Sequence, residues 1–190
     1  MYKPPVQLIV PKRFSDSRGW FSETYSEAAF AAKGLNCRFV QDNHSYSASV
    51  FTLRGLHFQT PPYAQDKLVR CVRGRIFDVA VDLRAGSPTY GQWVGAELSA
   101  ENGHLLFISV GFAHAFLTLE PDCEVAYKVS NIYAPECDAG VRWDTVGIGW
   151  PMPANTRPEL SVKDEHLPPL SEFSSSFGYD DRPLVPLSQY

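Results

Sequence analysis

Strand-like runs crowd this chain so closely that little else fits between them. QLIV, GWFSETY, CRFVQDNHSYS, FTLRGLHFQ, DKLVRCV, RIFDVAVDLR, GQWVGAEL, HLLFIS, AHAFLTL and CEVAYKVS follow one another, with the turn signals TPPY, RG, AGSPTYG and AENG among them. Short runs at this spacing predict an all-β sandwich, jelly roll or barrel. One helix is readable. In SEAAFAAKG, Ser26 is placed to cap the N-terminus, Glu27 suits the first turn, alanines fill the interior and Gly34 ends it. Aromatic residues at 13%, with frequent Gly and Pro, fit strands joined by many turns.

The chain of 190 residues is long enough to bury one core and is expected to form a single domain over 1–190. Its ordered core is expected over about 8–170. After Pro168 the stretch PPLSEFSSSFGYDDRPLVPLSQY loses periodicity, so 171–190 reads as a tail that wraps the domain or is partly mobile. A hydrophobic content of 44% and charged content of 20% fit an ordinary globule. With a net charge of −4 and no basic block, no nucleic-acid partner is expected. No run approaches a signal peptide or a membrane span, so the reading is cytoplasmic, with no membrane partner. Cys37, Cys71, Cys123 and Cys137 form no CxxC pair and read as buried or idle thiols.

Alternation is clearest in RIFDVAVDLR. Phe77, Val79, Val81 and Leu83 share one face, and Asp78 and Asp82 the other, which is expected to be solvated. The same parity puts Leu53, Gly55, His57 and Gln59 on one face of FTLRGLHFQ, Lys67 with Val69 and Cys71, and Tyr127 with Cys123, Val125 and Val129, while Lys128 points away. His57, Lys67 and Tyr127 thus each lie on the more apolar face of a strand. Three different ionisable side chains looking inward predict a lined cavity, because burying them otherwise is costly. Arg54 has the wrong parity to join His57, but Gly55 between them offers a bulge that would bring both to one site.

No GxGxxG, phosphate loop or GxSxG elbow is present. A metal-binding jelly roll would want a second histidine where Gln59 stands, and an amide is the poorer ligand for transition metals, so a metal site is disfavoured. A His, a Lys and a Tyr suit proton transfer beside a carbonyl. The imidazole is a base near neutral pH, the ammonium stabilises an enolate, and the phenol returns a proton from the other side.

DSRGWFSE, FVQDNHS, LRGLHFQ, QDKLVR, GRIFDVAVDLRAGSPTYGQW, LSAENG, GFAHAF, YKVSNIYAP, GVRW and LSVKDEHLP occur in that order. With these motifs the chain resembles the dTDP-4-dehydrorhamnose 3,5-epimerase family from about Leu8 to Leu170. The resemblance implies a cupin-like jelly roll, a homodimer, no cofactor or metal, and a nucleotide-linked 4-keto-6-deoxy sugar as substrate. It makes His57 the general base paired with Asp164, Lys67 the group beside the 4-keto oxygen and Tyr127 the proton donor. For binding it implies Arg18, Glu23, Gln41, Asp42, Asn43, Arg54, His114, Tyr133, Asp138 and Lys163, with Tyr133 stacked on the thymine and Arg54 and Lys163 near the diphosphate. In such enzymes an N-terminal segment of the partner subunit completes the site, which would put Arg18 and Glu23 across a dimer.

The chain departs from the family pattern at Asp138, where Glu is usual, at Ser109-Val110 for Ile-Pro, at Ala115 for Gly and at Tyr63 for His. These changes touch pocket walls. The rival readings are an epimerase acting at C3 or C5 alone, or on a related sugar nucleotide, a non-catalytic sugar-nucleotide binding jelly roll, and a metal-dependent jelly-roll enzyme.

Overall fold

In the computed structural model, which describes residues 4–188, the alternation resolves into two five-stranded antiparallel sheets packed face to face. The first sheet runs, in spatial order, β1 (Val6–Ile9), β9 (Leu105–Ile108), β6 (Lys67–Arg73), β11 (Cys123–Val129) and β4 (Gln41–Ser47). The second runs β12 (Asp138–Gly140), β5 (Leu53–Gln59), β10 (Phe112–Thr118), β7 (Arg75–Asp82) and β8 (Trp93–Ser99). The hairpin of β2 (Arg13–Asp16) and β3 (Gly19–Ser22) joins neither sheet. Neighbours in each sheet are mostly distant in sequence, as the crossing connections of a jelly roll require. Each of the ten expected runs contributes a strand, and β2, β12 and the short helix α2 (Val162–Glu165) are additions.

The core lies between the sheets. Val69, Leu106, Ile108 and Val125 of the first meet Ile76, Ala80, Leu98, Phe112 and Phe116 of the second. Each large apolar side chain removed from water there contributes about 1.5–3 kcal/mol. Both outer faces are also partly covered. Helix α1 (Glu27–Ala32) lays Phe30 against Leu68, Leu105 and Phe107 of the first sheet. It begins where the Ser26 side chain accepts the Ala29 N–H, and it ends at Gly34, whose φ of 79° suits a residue without a Cβ. On the far side of the second sheet, Leu56, Val79, Val81 and Ala113 pack under Ile148, Trp150, Leu170, Phe173 and Phe177.

That second cover overturns one expectation. Parity on β7 is as read, but Asp78 and Asp82 do not face water: both are 0% exposed and point between the sheets. The Phe77–Val79–Val81 face was free to turn outward because the C-terminal segment covers it. Asp82 is neutralised by Arg84, itself 1% exposed, whose guanidinium also reaches Asp180 and the Arg182 carbonyl and lies over the Phe112 ring. The tail therefore wraps the domain: Phe173 and Phe177 set ring edges on Phe58 at centroid distances of 5.0 and 5.8 Å, and Leu184 enters the central core. Cys71, Cys123 and Cys137 are buried free thiols and Cys37 is half-buried. Among the described residues no helix is long and apolar enough to cross a membrane.

Candidate active site

The site begins with a slip in β5. Leu53 pairs with Leu117 and Arg54 with Phe116, but His57 pairs with His114, so three steps on β5 match two on β10. Gly55 supplies the extra residue. Its φ is +133°, and a Cβ there would lie 2.4 Å from the Ala115 Cβ and 2.6 Å from the His114 carbonyl oxygen. The bulge breaks the expected face of Leu53, Gly55, His57 and Gln59, and it carries Arg54 to the side of the sheet that holds His57.

That side opens into a cavity of about 490 Å³ between the sheets. From the second sheet come Arg54, His57, Gln59 and His114, and from the first come Gln41, Asn43, Lys67 and Tyr127. The base candidate and the acid candidate therefore face each other from opposite sheets. Asp164 on α2 accepts a hydrogen bond at 2.5 Å from His57 Nε2, and the imidazole lines the cavity. Burial opposes ionisation of Asp164. The bonds and charge from His57, the Gly55 N–H and the Ser161 hydroxyl outweigh it and hold the carboxyl below the usual range. Ser161 caps α2 by accepting the Asp164 N–H, which fixes the carboxylate under the ring.

A second pair lies deeper. His114 Nε2 bonds Asp78 Oδ1 at 2.6 Å, and burial pushes the imidazole pKa down despite the carboxylate. Neutral His114 therefore donates this bond. Lys67 is 8% exposed and donates to the His57 carbonyl at 3.2 Å. Burial lowers its pKa to about 8, with Asp78 and Asp138 pulling it back up and Lys163 opposing them. The Tyr127 phenol is raised, chiefly by burial.

At the mouth, Asp138 on β12 accepts from the Tyr133 hydroxyl at 3.1 Å and from the Lys163 ammonium. The shorter carboxylate thus still reaches both neighbours. Gln41 accepts the Tyr133 N–H and donates to Asn43.

Three expected site residues stand elsewhere. Asp42 lies on the other face of β4, bonded to Lys128 at 2.8 and 2.9 Å, because a strand cannot turn Gln41, Asp42 and Asn43 the same way. Arg18 is exposed on the β2–β3 hairpin, its guanidinium bound to Asp16 at 2.6 Å, and Glu23 is exposed just beyond it. Within one chain neither joins the cavity. Sequence reasoning missed Asp78, which it assigned to a solvated face, and Gln59, which it considered only as a failed metal ligand. The S-x-x-D spacing of Ser161 and Asp164 is a helix-start signal that would have located α2.

Known proteins resemble this chain over most of its length. The sequence model described as dTDP-4-dehydrorhamnose 3,5-epimerase matches residues 4–172. The protein of that name from Sinorhizobium fredii is 52% identical over 174 residues, covering 92% of this chain and 89% of the relative. The one from Salmonella typhimurium is 49% identical over 170 residues, covering 89% and 92%. Among solved structures, the dTDP-6-deoxy-D-glucose-3,5-epimerase of Legionella pneumophila, in complex with dTDP-4-keto-L-rhamnose, is 39% identical with a TM-score of 0.86. The match covers 93% of this chain and 94% of that one. These likenesses make the chain a carbohydrate epimerase, an isomerase built on a jelly roll. It belongs to the dTDP-4-dehydrorhamnose 3,5-epimerase family.

Proposed function

We propose that the protein inverts C3 and C5 of dTDP-4-dehydro-6-deoxy-D-glucose, giving dTDP-4-dehydro-L-rhamnose, with its own side chains taking protons from carbon and returning them to it. The observation that carries this reading is the placement of His57 and Tyr127 on opposite sheets of one cavity. A sugar ring lying between them presents one face to each. His57 takes the proton from C3 or C5, both of which flank the C4 ketone, and the electron pair moves to the ketone oxygen. The Lys67 ammonium stabilises that enolate. Tyr127 then protonates the opposite face of the same carbon. Each inversion leaves the imidazole protonated and the phenol ionised, and proton exchange with solvent resets both. Asp164 orients His57 and stabilises its cationic form.

Arg54 and Lys163 supply the cationic charge for a diphosphate, His114, Gln41 and Asn43 contact the substrate, and Asp138 with Tyr133 closes over the base. The site is completed in a homodimer. The hairpin leaves Phe14, Trp20 and Phe21 between 53% and 70% exposed, an apolar surface suited to a second copy, which would deliver Arg18 and Glu23 to the neighbouring cavity.

The test is NMR of dTDP-4-dehydro-6-deoxy-D-glucose with the protein in D₂O. Deuterium and inversion at both carbons are expected. Label and inversion at one carbon alone would make it a single-centre epimerase, and no exchange at either would reject the reading. Tyr127→Phe is expected to lower kcat by about 10²-fold, while substrate still acquires deuterium, because His57 returns a deuteron to the face it came from. Loss of that exchange would count against Tyr127 as the acid.

Lys67 makes a pH prediction. Its pKa of about 8 lies below the ordinary lysine value of 10.5, so the ammonium is lost early on the alkaline side. The kcat/KM profile is expected to fall above pH 8, and Lys67→Met is expected to be slow and without that limb. For stability the sign is opposite. Below pH 8 both folded and unfolded chains carry the charge, and its burial costs about 3 kcal/mol. Between pH 8 and 10.5 only the unfolded chain binds the proton, so this contribution to stability rises with pH. Urea unfolding of wild type and Lys67→Met at pH 7 and pH 9.5 checks it.

A further inference from the structure

Gln59 ends β5 two residues beyond His57 and is 4% exposed. Both ends of its amide are committed to backbone. Nε2 donates to the carbonyls of Tyr63 at 2.6 Å and Ile132 at 3.0 Å, and Oε1 accepts the Ala134 N–H at 2.8 Å. The residues held on either side, Ile132 and Ala134, bracket Tyr133. The Tyr133 N–H is taken by Gln41, and Gln65 donates to the carbonyls of Asn131 and Ile132. Tyr133 itself is 54% exposed; its ring is held at the hydroxyl by Asp138 and at its base by the backbone beneath it.

We infer that Gln59 is a positioning residue for nucleobase binding, holding the Ile132–Ala134 loop so that the Tyr133 ring is presented at the cavity mouth before ligand arrives. The inference rests on the sugar-nucleotide reading above. A loop already fixed loses little freedom on stacking, so its anchoring appears as affinity. The position also requires an amide. Holding both Ile132 and Ala134 takes a donor and an acceptor on one side chain at this reach, which a carboxylate does not offer. Where a metal-binding jelly roll would carry a histidine, Gln59 instead commits its amide to backbone, with Oε1 accepting the Ala134 N–H.

The experiment is a calorimetric titration of the full-length protein with dTDP, in a cycle of wild type, Gln59→Glu, Tyr133→Ala and the double variant. Gln59→Glu sets a carboxylate against two carbonyl oxygens and is expected to weaken dTDP binding about tenfold. Acting through Tyr133, it should add less than twofold once Tyr133 is alanine. Wild-type affinity in Gln59→Glu, or effects that multiply in the double variant, would overturn the inference. Gln59→Met, similar in shape and without a buried charge, runs the same cycle if the carboxylate prevents folding. Wild-type protein that binds no dTDP would overturn the sugar-nucleotide reading and this inference with it.

Discussion

His57→Asn is expected to lower kcat by a factor of about 10³ to 10⁴ with the fold intact. The side chain lines the cavity and is 31% exposed, so its replacement leaves the central core packing in place. What it removes is the partly exposed imidazole that lines the cavity with the Asp164 carboxylate behind it. Asparagine is a cleaner test than alanine, because Asp164, with its side chain 3% exposed, needs a donor. Alanine would leave that buried carboxylate without its partner at a cost of about 1–3 kcal/mol, mixing a stability effect with the chemical one. The measurement is turnover together with deuterium exchange at C3 and C5. Both should disappear while dTDP binding persists, and residual turnover above a few per cent would remove His57 from the role of base.

Gly55→Ala is expected to be the most damaging conservative change in the chain, destabilising it by about 2–4 kcal/mol and depressing the activity of whatever folds. Two costs coincide. The backbone at φ +133° is one that an L-residue resists, and the added methyl meets the Ala115 Cβ at 2.4 Å and the His114 carbonyl at 2.6 Å. Relief requires β5 to move off β10, which shifts Arg54 and His57 together because both owe their facing to that bulge. Ala115→Gly in the same chain removes the nearer contact but not the carbonyl or the backbone strain, so partial recovery is expected. Thermal melts and kcat of the single and double variants check this. A Gly55→Ala protein with wild-type melting temperature would mean that the bulge tolerates a side chain.

Much of the site was legible before the fold. His57, Lys67 and Tyr127 were read from parity as inward-facing on three strands, and all three line one cavity. The helix at Glu27–Ala32 was read from its cap and its glycine. The motifs carried the pairing of His57 with Asp164, which parity had no means of reaching across 107 residues. The same motif-by-motif transfer placed Asp42 in the site with Gln41 and Asn43, and there strand geometry prevails: alternate residues face alternate sides, and Asp42 faces Lys128.

Asp78 and Asp82 mark the limit of pattern reading. Their alternation with Phe77, Val79 and Val81 is plain in the sequence, yet the polar side is the interior. An apolar face needs a cover, not a particular sheet, and Trp150, Phe173 and Phe177 supply one from the far end of the chain. The opposite face then carries buried acidic groups, each with its partner: Asp78 with His114 beside the cavity, and Asp82 with Arg84 under the C-terminal segment.

By itself, then, the sequence determined where the strands lie, which side chains share a face and which residues are equipped for proton transfer. These follow from the two-residue period of an extended backbone and from side-chain chemistry, both local. Only the tertiary structure decided which face of β7 is inside, where β5 slips by one residue, and which carboxylate stands behind which histidine. Those outcomes depend on what packs against each surface from elsewhere in the chain, and a local period carries no information about that.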